Sequence, residues 1–130
     1  MISDGVMAIG SNGSTGSGSA LYFDSNRRVT QGNSLRAFKI NIDRIEDASW
    51  IYSLNPVTFD WKDPKDAAYF GRQMGFIAEE VFALCPQMTF NGQDGQLRGI
   101  TYEKMVVPLV VEVKRLRQEV DELKQRMVVN

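Results

Sequence analysis

Hydrophobic and polar positions divide the chain into three segments of different texture. Residues 1–33 are rich in Gly, Ser and Asn, with short β-like pieces at 6–9 and 20–23 on either side of a Gly/Ser-rich loop. Because such pieces cannot bury a core by themselves, we interpret residues 1–33 as the end of a longer β-structured protein. An artificial linker is the alternative interpretation of the Gly/Ser loop.

Residues 34–100 have the pattern of a small globular α+β domain. Period-two alternation predicts strands at 38–42, where Phe38, Ile40 and Ile42 alternate with polar residues, and at 57–61. The remaining predictions are a short helix over 45–54, a polar loop over 63–70, a strand turning into a helix over 75–84, and a hairpin over 88–100.

Residues 101–127 carry the clearest pattern, a heptad repeat in which every a and d position is apolar. Position a is Val106, Val113, Val120 and Met127, and position d is Tyr102, Leu109, Leu116 and Leu123. We predict a long helix in a parallel coiled coil. A single amphipathic helix packed on its own domain is the alternative, but the stripe after Val113 is narrower than such a helix usually shows.

The charges beside this seam and the proline within it refine the prediction. In a parallel bundle, Glu112 (g) would meet Arg117 (e) of a neighbour, and Glu119 (g) would meet Lys124 (e). Val at a with Leu at d leans towards dimers. Because Pro108 lacks an amide donor, the regular helix should begin only a few residues before it.

Composition excludes several classes of function. The formal net charge is −1, which argues against nucleic acid as the main partner. The absence of histidine removes His-based catalytic triads and most zinc sites, so we predict no metal site. The single Cys85 allows no internal disulfide, and we expect it to be buried. The longest apolar run is far shorter than the ~20 residues of a membrane span, so no membrane partner is expected.

Three stretches between Ser34 and Leu123 resemble the intramolecular chaperone auto-processing domain, also classed as the peptidase S74 family, of phage tail spikes, endosialidases and neck appendages. The first is Ser34-x-Arg36-x-x-Lys39-x-Asn41-Ile42. The second comprises 54–61, 71–81 and Pro86, and the third comprises 100–102 with 107–109. Leu35 stands where the family usually has an acidic residue, and Ala37 and Phe38 also depart from its pattern. These departures bear on the rate of cleavage more than on its site.

The resemblance implies a homotrimer that aligns three upstream β-rich spike or fibre segments and then cuts each chain at Asn33–Ser34. The mature spike would leave for the virion tail, and the chaperone would be discarded in the host cytoplasm during phage assembly. The domains would be residues 1–33, upstream segment, and 34–127, chaperone, the latter with a globular part (34–100) and a coiled-coil helix (101–127). The resemblance implies no required cofactor; a nucleotide role has been suggested for some relatives, but the sequence has no phosphate-binding motif of the Gly-x-x-x-x-Gly-Lys type.

Ser34 and Lys39 are the candidate catalytic residues. Without a histidine, Lys39 can serve as the general base for the Ser34 hydroxyl, with Arg36 and Asn41 as possible supporting groups. Side chains five residues apart point to opposite faces of a strand, so we predict a break from extended structure near 35–37. A lysine must also be desolvated to act as a base, and subunit contact would provide that.

Other functions stay open from the sequence. Asn33 could instead cleave the same bond by attacking its own carbonyl and forming a succinimide. A purely structural trimerisation module that never cuts is the main alternative function. A glycan-binding fibre tip would require exposed aromatic clusters, whereas the phases of Trp50, Phe59 and Trp61 predict core positions. Glu79 and Glu80 are predicted to be helix-surface carboxylates, and Arg72 is expected to pair with Asp60 or Glu79.

Overall fold

A computed structural model describes residues 21–23, 29–31 and 34–129. The chain divides into two compact units, Met1–Asp43 and Arg44–Asn130. The division predicted at 33/34, between the upstream segment and the chaperone domain, stays a prediction. The β-like piece predicted at 6–9 lies outside the described residues.

The described residues of the first unit form a two-stranded antiparallel ribbon and a tight turn. Strand β1 (Leu21–Phe23) pairs with β2 (Val29–Gln31), so the β-like piece at 20–23 is confirmed. A 3₁₀ turn follows at Arg36–Phe38, where the amide of Lys39 donates to the carbonyl of Arg36 at 3.0 Å. This turn confirms the predicted break from extended structure. The strand predicted at 38–42 is wrong, because the turn occupies its start and Asn41 has a positive φ of 53°.

The second unit is α+β, with two small antiparallel sheets and a long C-terminal helix. Strand β3 (Val57–Phe59) pairs with β4 (Gln73–Gly75), and β5 (Thr89–Asn91) pairs with β6 (Leu97–Ile100). Helix α1 spans Pro64–Phe70, α2 spans Ala78–Leu84, and α3 spans Val106–Val129. The hairpin predicted over 88–100 is confirmed, and its turn contains Gly95 at φ 77°.

Two predicted elements of this unit differ from the structure in instructive ways. The polar loop predicted over 63–70 is wrong, because α1 occupies it. Asp63 caps this helix by accepting from the amide of Lys65, and Pro64 fills its first position, where no amide donor is needed. The helix predicted over 45–54 is shorter and tighter, a 3₁₀ helix at Ser49–Ser53.

A small apolar core holds the second unit together. Val81 of α2, Met88 and Met105 are its buried members, and partly buried side chains pack against them: Trp50, Leu54, Phe76, Cys85 and Ile100. Met105 directly precedes α3, so the core joins the start of the long helix to α2 and the hairpin. The predicted Arg72–Asp60 ion pair is confirmed at 2.8 Å across β3 and β4.

Truncating Val81 to alanine will lower the free energy of unfolding of this unit by about 2 kcal/mol, since its side chain is fully buried and the change removes two methyl groups from the core. Chemical denaturation followed by tryptophan fluorescence measures the change. Val128→Ala, at an exposed position outside the seam, is the matched control and should change stability much less.

The aromatic side chains are less buried than predicted. Trp50 packs on the core, and Phe59 is partly buried. Trp61 is half-exposed, so the prediction of a core position for it is wrong. Trp61 makes edge-to-face contacts with Phe59 and Phe70, whose ring centroids lie 5.1 and 6.5 Å away. This exposed row is the feature that the glycan-binding alternative predicted, and that alternative stays untested.

Helix α3 is the longest element among the described residues. Its 24 residues correspond to about 36 Å of helix at ~1.5 Å per residue. It begins at Val106, two residues before Pro108, as predicted from the missing amide of that proline. Within the part of the chain that the structure describes, no helix combines the length and apolar character needed to cross a membrane.

Candidate functional site

The 3₁₀ turn at Arg36–Phe38 brings the two candidate catalytic side chains together. By reversing the chain direction between them, it places Lys39 Nζ 2.7 Å from Ser34 Oγ, to which it donates a hydrogen bond. That distance is within the range over which a proton passes between a nucleophile and its base. The catalytic roles of both residues stay predictions.

Solvent surrounds this Ser34–Lys39 pair in the single chain. Both residues are exposed, and the apolar neighbours expected to shelter the lysine are exposed as well, Ile40 at 85%. The candidate supporting residues Arg36 and Asn41 are also exposed. Asn33, which carries the carbonyl of the predicted scissile bond, lies outside the described residues. The described residues of the single chain therefore do not provide the buried surroundings that the predicted base requires.

The predicted coiled-coil seam is also open to solvent. Its eight side chains, which retain between 44% and 79% of their exposure, are Tyr102, Val106, Leu109, Val113, Leu116, Val120, Leu123 and Met127. Val107 and Val110 next to it are half-exposed too. An apolar stripe of this length is seldom left uncovered on a soluble protein. Tyr102, which precedes α3, packs on its own domain: its hydroxyl accepts a hydrogen bond from the Phe76 amide at 2.9 Å and its ring stacks on Phe76. The seven seam residues within α3 stay largely exposed.

A different face of α3 packs on the domain. Met105 and Glu112 occupy heptad position g, Pro108 occupies position c, and all three are buried. On a helical wheel, positions c, f and g lie opposite positions a, d and e. Packing of the helix on its own domain and exposure of the predicted seam are therefore compatible, because they use opposite faces.

Glu112 anchors this packed face, and it is 3% exposed. Its carboxylate accepts a hydrogen bond from the amide of Ala48 at 2.9 Å, across 64 residues of sequence. Arg115, one turn further along α3, donates to both carboxylate oxygens at 3.0 and 2.9 Å and also pairs with Asp47 at 3.2 Å. We call these four residues, Asp47, Ala48, Glu112 and Arg115, the α3 anchor.

The pKa values within the α3 anchor show how the buried charge is tolerated. Burial by itself would raise the pKa of Glu112, but the Ala48 amide and the Arg115 guanidinium together hold that pKa below the usual glutamate range. Hydrogen bonds from Ser49 lower the pKa of Asp47. Tyr52 faces the same carboxylate, and burial together with the Glu112 charge raises its pKa.

Acidification will release the α3 anchor. Because the folded-state pKa of Glu112 is depressed, its contribution to stability is present above the unfolded pKa, about 4.3, and is lost as the pH falls through the folded value. Asp47 acts in the same direction. Thermal unfolding between pH 7 and pH 3 should show a melting temperature that falls less steeply for Glu112→Gln than for the unchanged chain.

Glu122→Gln is the matched control for this pH series, since it removes the same charge from an exposed site on α3 that lies outside the α3 anchor. Its melting temperature should follow the unchanged chain. Parallel curves for the unchanged chain and for Glu112→Gln would contradict the role given to the Glu112 carboxylate.

The α3 anchor corrects one prediction from the sequence. Glu112 was expected to meet Arg117 of a neighbouring helix, but its contacts lie within its own chain, and Arg117 pairs with Asp121 at 3.4 Å. The sequence does contain a signal for this packing, a second apolar face at the start of the helix. Met105 lies at position g, Pro108 at position c and Val111 at position f. Glu79 and Glu80 are exposed in the first turn of α2, as predicted.

Part of the chain is similar to a known family of chaperone domains. Residues 35–89 match the model of the Peptidase_S74 family, described as the chaperone of endosialidase. The resemblance stated from the sequence is thereby confirmed for that segment, which includes Lys39 and ends before α3. No curated protein matches the sequence. No group of three or more side chains that could hold a metal ion occurs among the described residues.

Proposed function

We propose that residues 34–127 form an intramolecular chaperone that assembles three copies of the chain and then cuts each one at Asn33–Ser34. The family match supports the chaperone role. Assembly would align the upstream β-structured segments of a phage spike, appendage or fibre in the host cytoplasm, and cleavage would release them for the virion tail. Two further copies of the same chain are the only partners required, and neither a nucleic acid nor a membrane takes part.

The exposed seam of α3 supports assembly through this helix. Val110, at heptad position e, and Val107 widen the apolar stripe at the start of α3 beyond the a and d positions. A dimer covers a narrow a/d stripe, whereas a wider stripe needs contact with two neighbours. The width of the stripe therefore favours three strands where the Val/Leu pattern of the seam leans towards two.

The single observation that carries the proposed cleavage is the 2.7 Å contact between Lys39 Nζ and Ser34 Oγ. In the proposed reaction, neutral Lys39 takes the hydroxyl proton while Ser34 Oγ attacks the carbonyl carbon of Asn33. The Asn33–Ser34 C–N bond breaks, its nitrogen gains a proton, and an ester joins Asn33 to Ser34 Oγ. Water then hydrolyses the ester, leaving a carboxylate on Asn33 and a free amine on Ser34.

The exposure of Ser34 and Lys39 in the single chain supports a link between assembly and cleavage. In the contact described above the lysine donates, whereas a base must accept the serine proton. Desolvation favours the neutral amine, and subunit contact over the exposed side chains of Phe38, Ile40 and Ile42 would supply it. Cleavage would then follow assembly and would occur once per chain.

Intact mass and native oligomer size, measured on one preparation, test the proposal. A trimer with a fragment that begins at Ser34 is the expected result. A trimer with chains of full length would favour the alternative, a trimerisation module that does not cut. A lone subunit would contradict the assembly itself, and a fragment from a lone subunit would contradict its link to cleavage.

A further inference from the structure

The α3 anchor contains a buried carboxylate, that of Glu112, at a heptad position that is usually exposed in a coiled coil. Glu112 lies at a g position, and such positions usually carry exposed charges that meet a neighbouring helix. Here the carboxylate is satisfied by Ala48 and Arg115 of its own chain. Glu119, at the same position one heptad later, is exposed. The difference points to a role for Glu112 that ordinary pairing at the seam does not explain.

The contacts of Glu112 fix the rotation of α3 about its own axis. One helical residue corresponds to about 100° of rotation, so turning α3 by one position would remove the carboxylate from the Ala48 amide. A carboxylate left buried without its partners is strongly unfavourable. The position of this helix is therefore restricted more sharply than apolar packing alone would restrict it, since the hydrophobic effect is non-directional.

Such a restriction matters because the start of α3 is apolar on nearly every side. Val106, Leu109 and Val113 belong to the seam, Val107 and Val110 flank it, and Met105, Pro108 and Val111 lie on the opposite side. A helix with several apolar faces can pair through more than one of them, which gives a mixture of registers and strand numbers. One buried polar group is an established means of removing such alternatives.

We propose that Glu112 determines the specificity of assembly by holding the c, f and g face of α3 on its own domain, so that only the a, d and e face is available to other copies. This inference rests on the proposed assembly function. It adds that the number of strands is chosen by a contact within each subunit and not by the seam residues alone. Glu112 is a positioning residue here, because it does not touch the neighbouring copy.

Native mass spectrometry and disulfide trapping on the full chain test this inference. Ser34→Ala and Cys85→Ser are included throughout, so that neither cleavage nor the native thiol changes the result. Leu116→Cys reports contact through the seam, and Lys114→Cys, at position b, reports contact away from it. With Glu112 in place, we expect one trimeric species that cross-links through Leu116→Cys only.

Glu112→Gln should lower the ratio of trimer to other species by about tenfold or more and allow cross-linking through Lys114→Cys as well. Glu122→Gln, at an exposed c position of α3 outside the seam, is the control and should behave as the unchanged chain. If Glu112→Gln loses its near-ultraviolet circular dichroism, Arg115→Gln replaces it, because that change removes the charge partner and leaves the Ala48 contact in place.

Two results would overturn the inference, and they differ from each other. A folded Glu112→Gln or Arg115→Gln chain that forms only the same trimer, with cross-links only through Leu116→Cys, would contradict the role of Glu112 and leave the assembly function standing. An unchanged chain that stays monomeric would contradict the assembly function and this inference together.

Discussion

Chains carrying Ser34→Ala will keep their full mass under conditions in which the unchanged chain yields a fragment beginning at Ser34. Lys39→Ala should slow cleavage by roughly 10²–10⁴-fold, the usual contribution of a general base. Lys39→Arg should not restore it, because arginine keeps its proton at every accessible pH. Time courses of intact mass at neutral pH measure all three variants.

Two exposed residues provide matched controls for these variants. Ser53→Ala and Lys62→Ala remove the same functional groups from exposed positions elsewhere in the chain, and both should cleave at the normal rate. All five variants should give the same native oligomer, so that a loss of cleavage cannot be assigned to a loss of assembly.

The same series separates the two chemistries proposed for the Asn33–Ser34 bond. Succinimide formation uses the side-chain amide of Asn33 and releases Ser34 without needing its hydroxyl. Asn33→Ala should therefore leave the Ser34–Lys39 route active and abolish the succinimide route. Cleavage that persists in Ser34→Ala and stops in Asn33→Ala would overturn the role of the Ser34–Lys39 pair.

The sequence was most informative where one physical requirement dominates a pattern. Apolar residues at every a and d position predict the long helix, because a coiled coil requires that spacing. The missing amide of Pro108 predicts where the helix begins. The turn between Ser34 and Lys39 followed from the need to bring two side chains together across five residues. In each case, a local constraint is sufficient to determine the structure.

The predictions failed where one sequence pattern is compatible with two different local structures. An alternating stretch such as Phe38–Ile42 resembles a strand, although no partner strand accompanies it here among the described residues. Asp63 and Pro64 in a polar segment resemble a loop, although they also begin a helix. Glu112 in a heptad resembles a surface charge, and only the fold brings the Ala48 amide to it from 64 residues away.

Leu116→Lys should convert the trimer into single subunits and abolish cleavage, although it leaves Ser34 and Lys39 unchanged. Each buried leucine contributes roughly 1.5–3 kcal/mol, and three lysine charges brought together at one level of the seam would repel one another. Native mass and intact mass should therefore change together. Gln118→Lys is the control, because it adds the same charge to α3 at heptad position f and can still pair with Glu122. A monomeric Leu116→Lys chain that cuts at the normal rate would show that burial of Lys39 does not depend on neighbouring subunits.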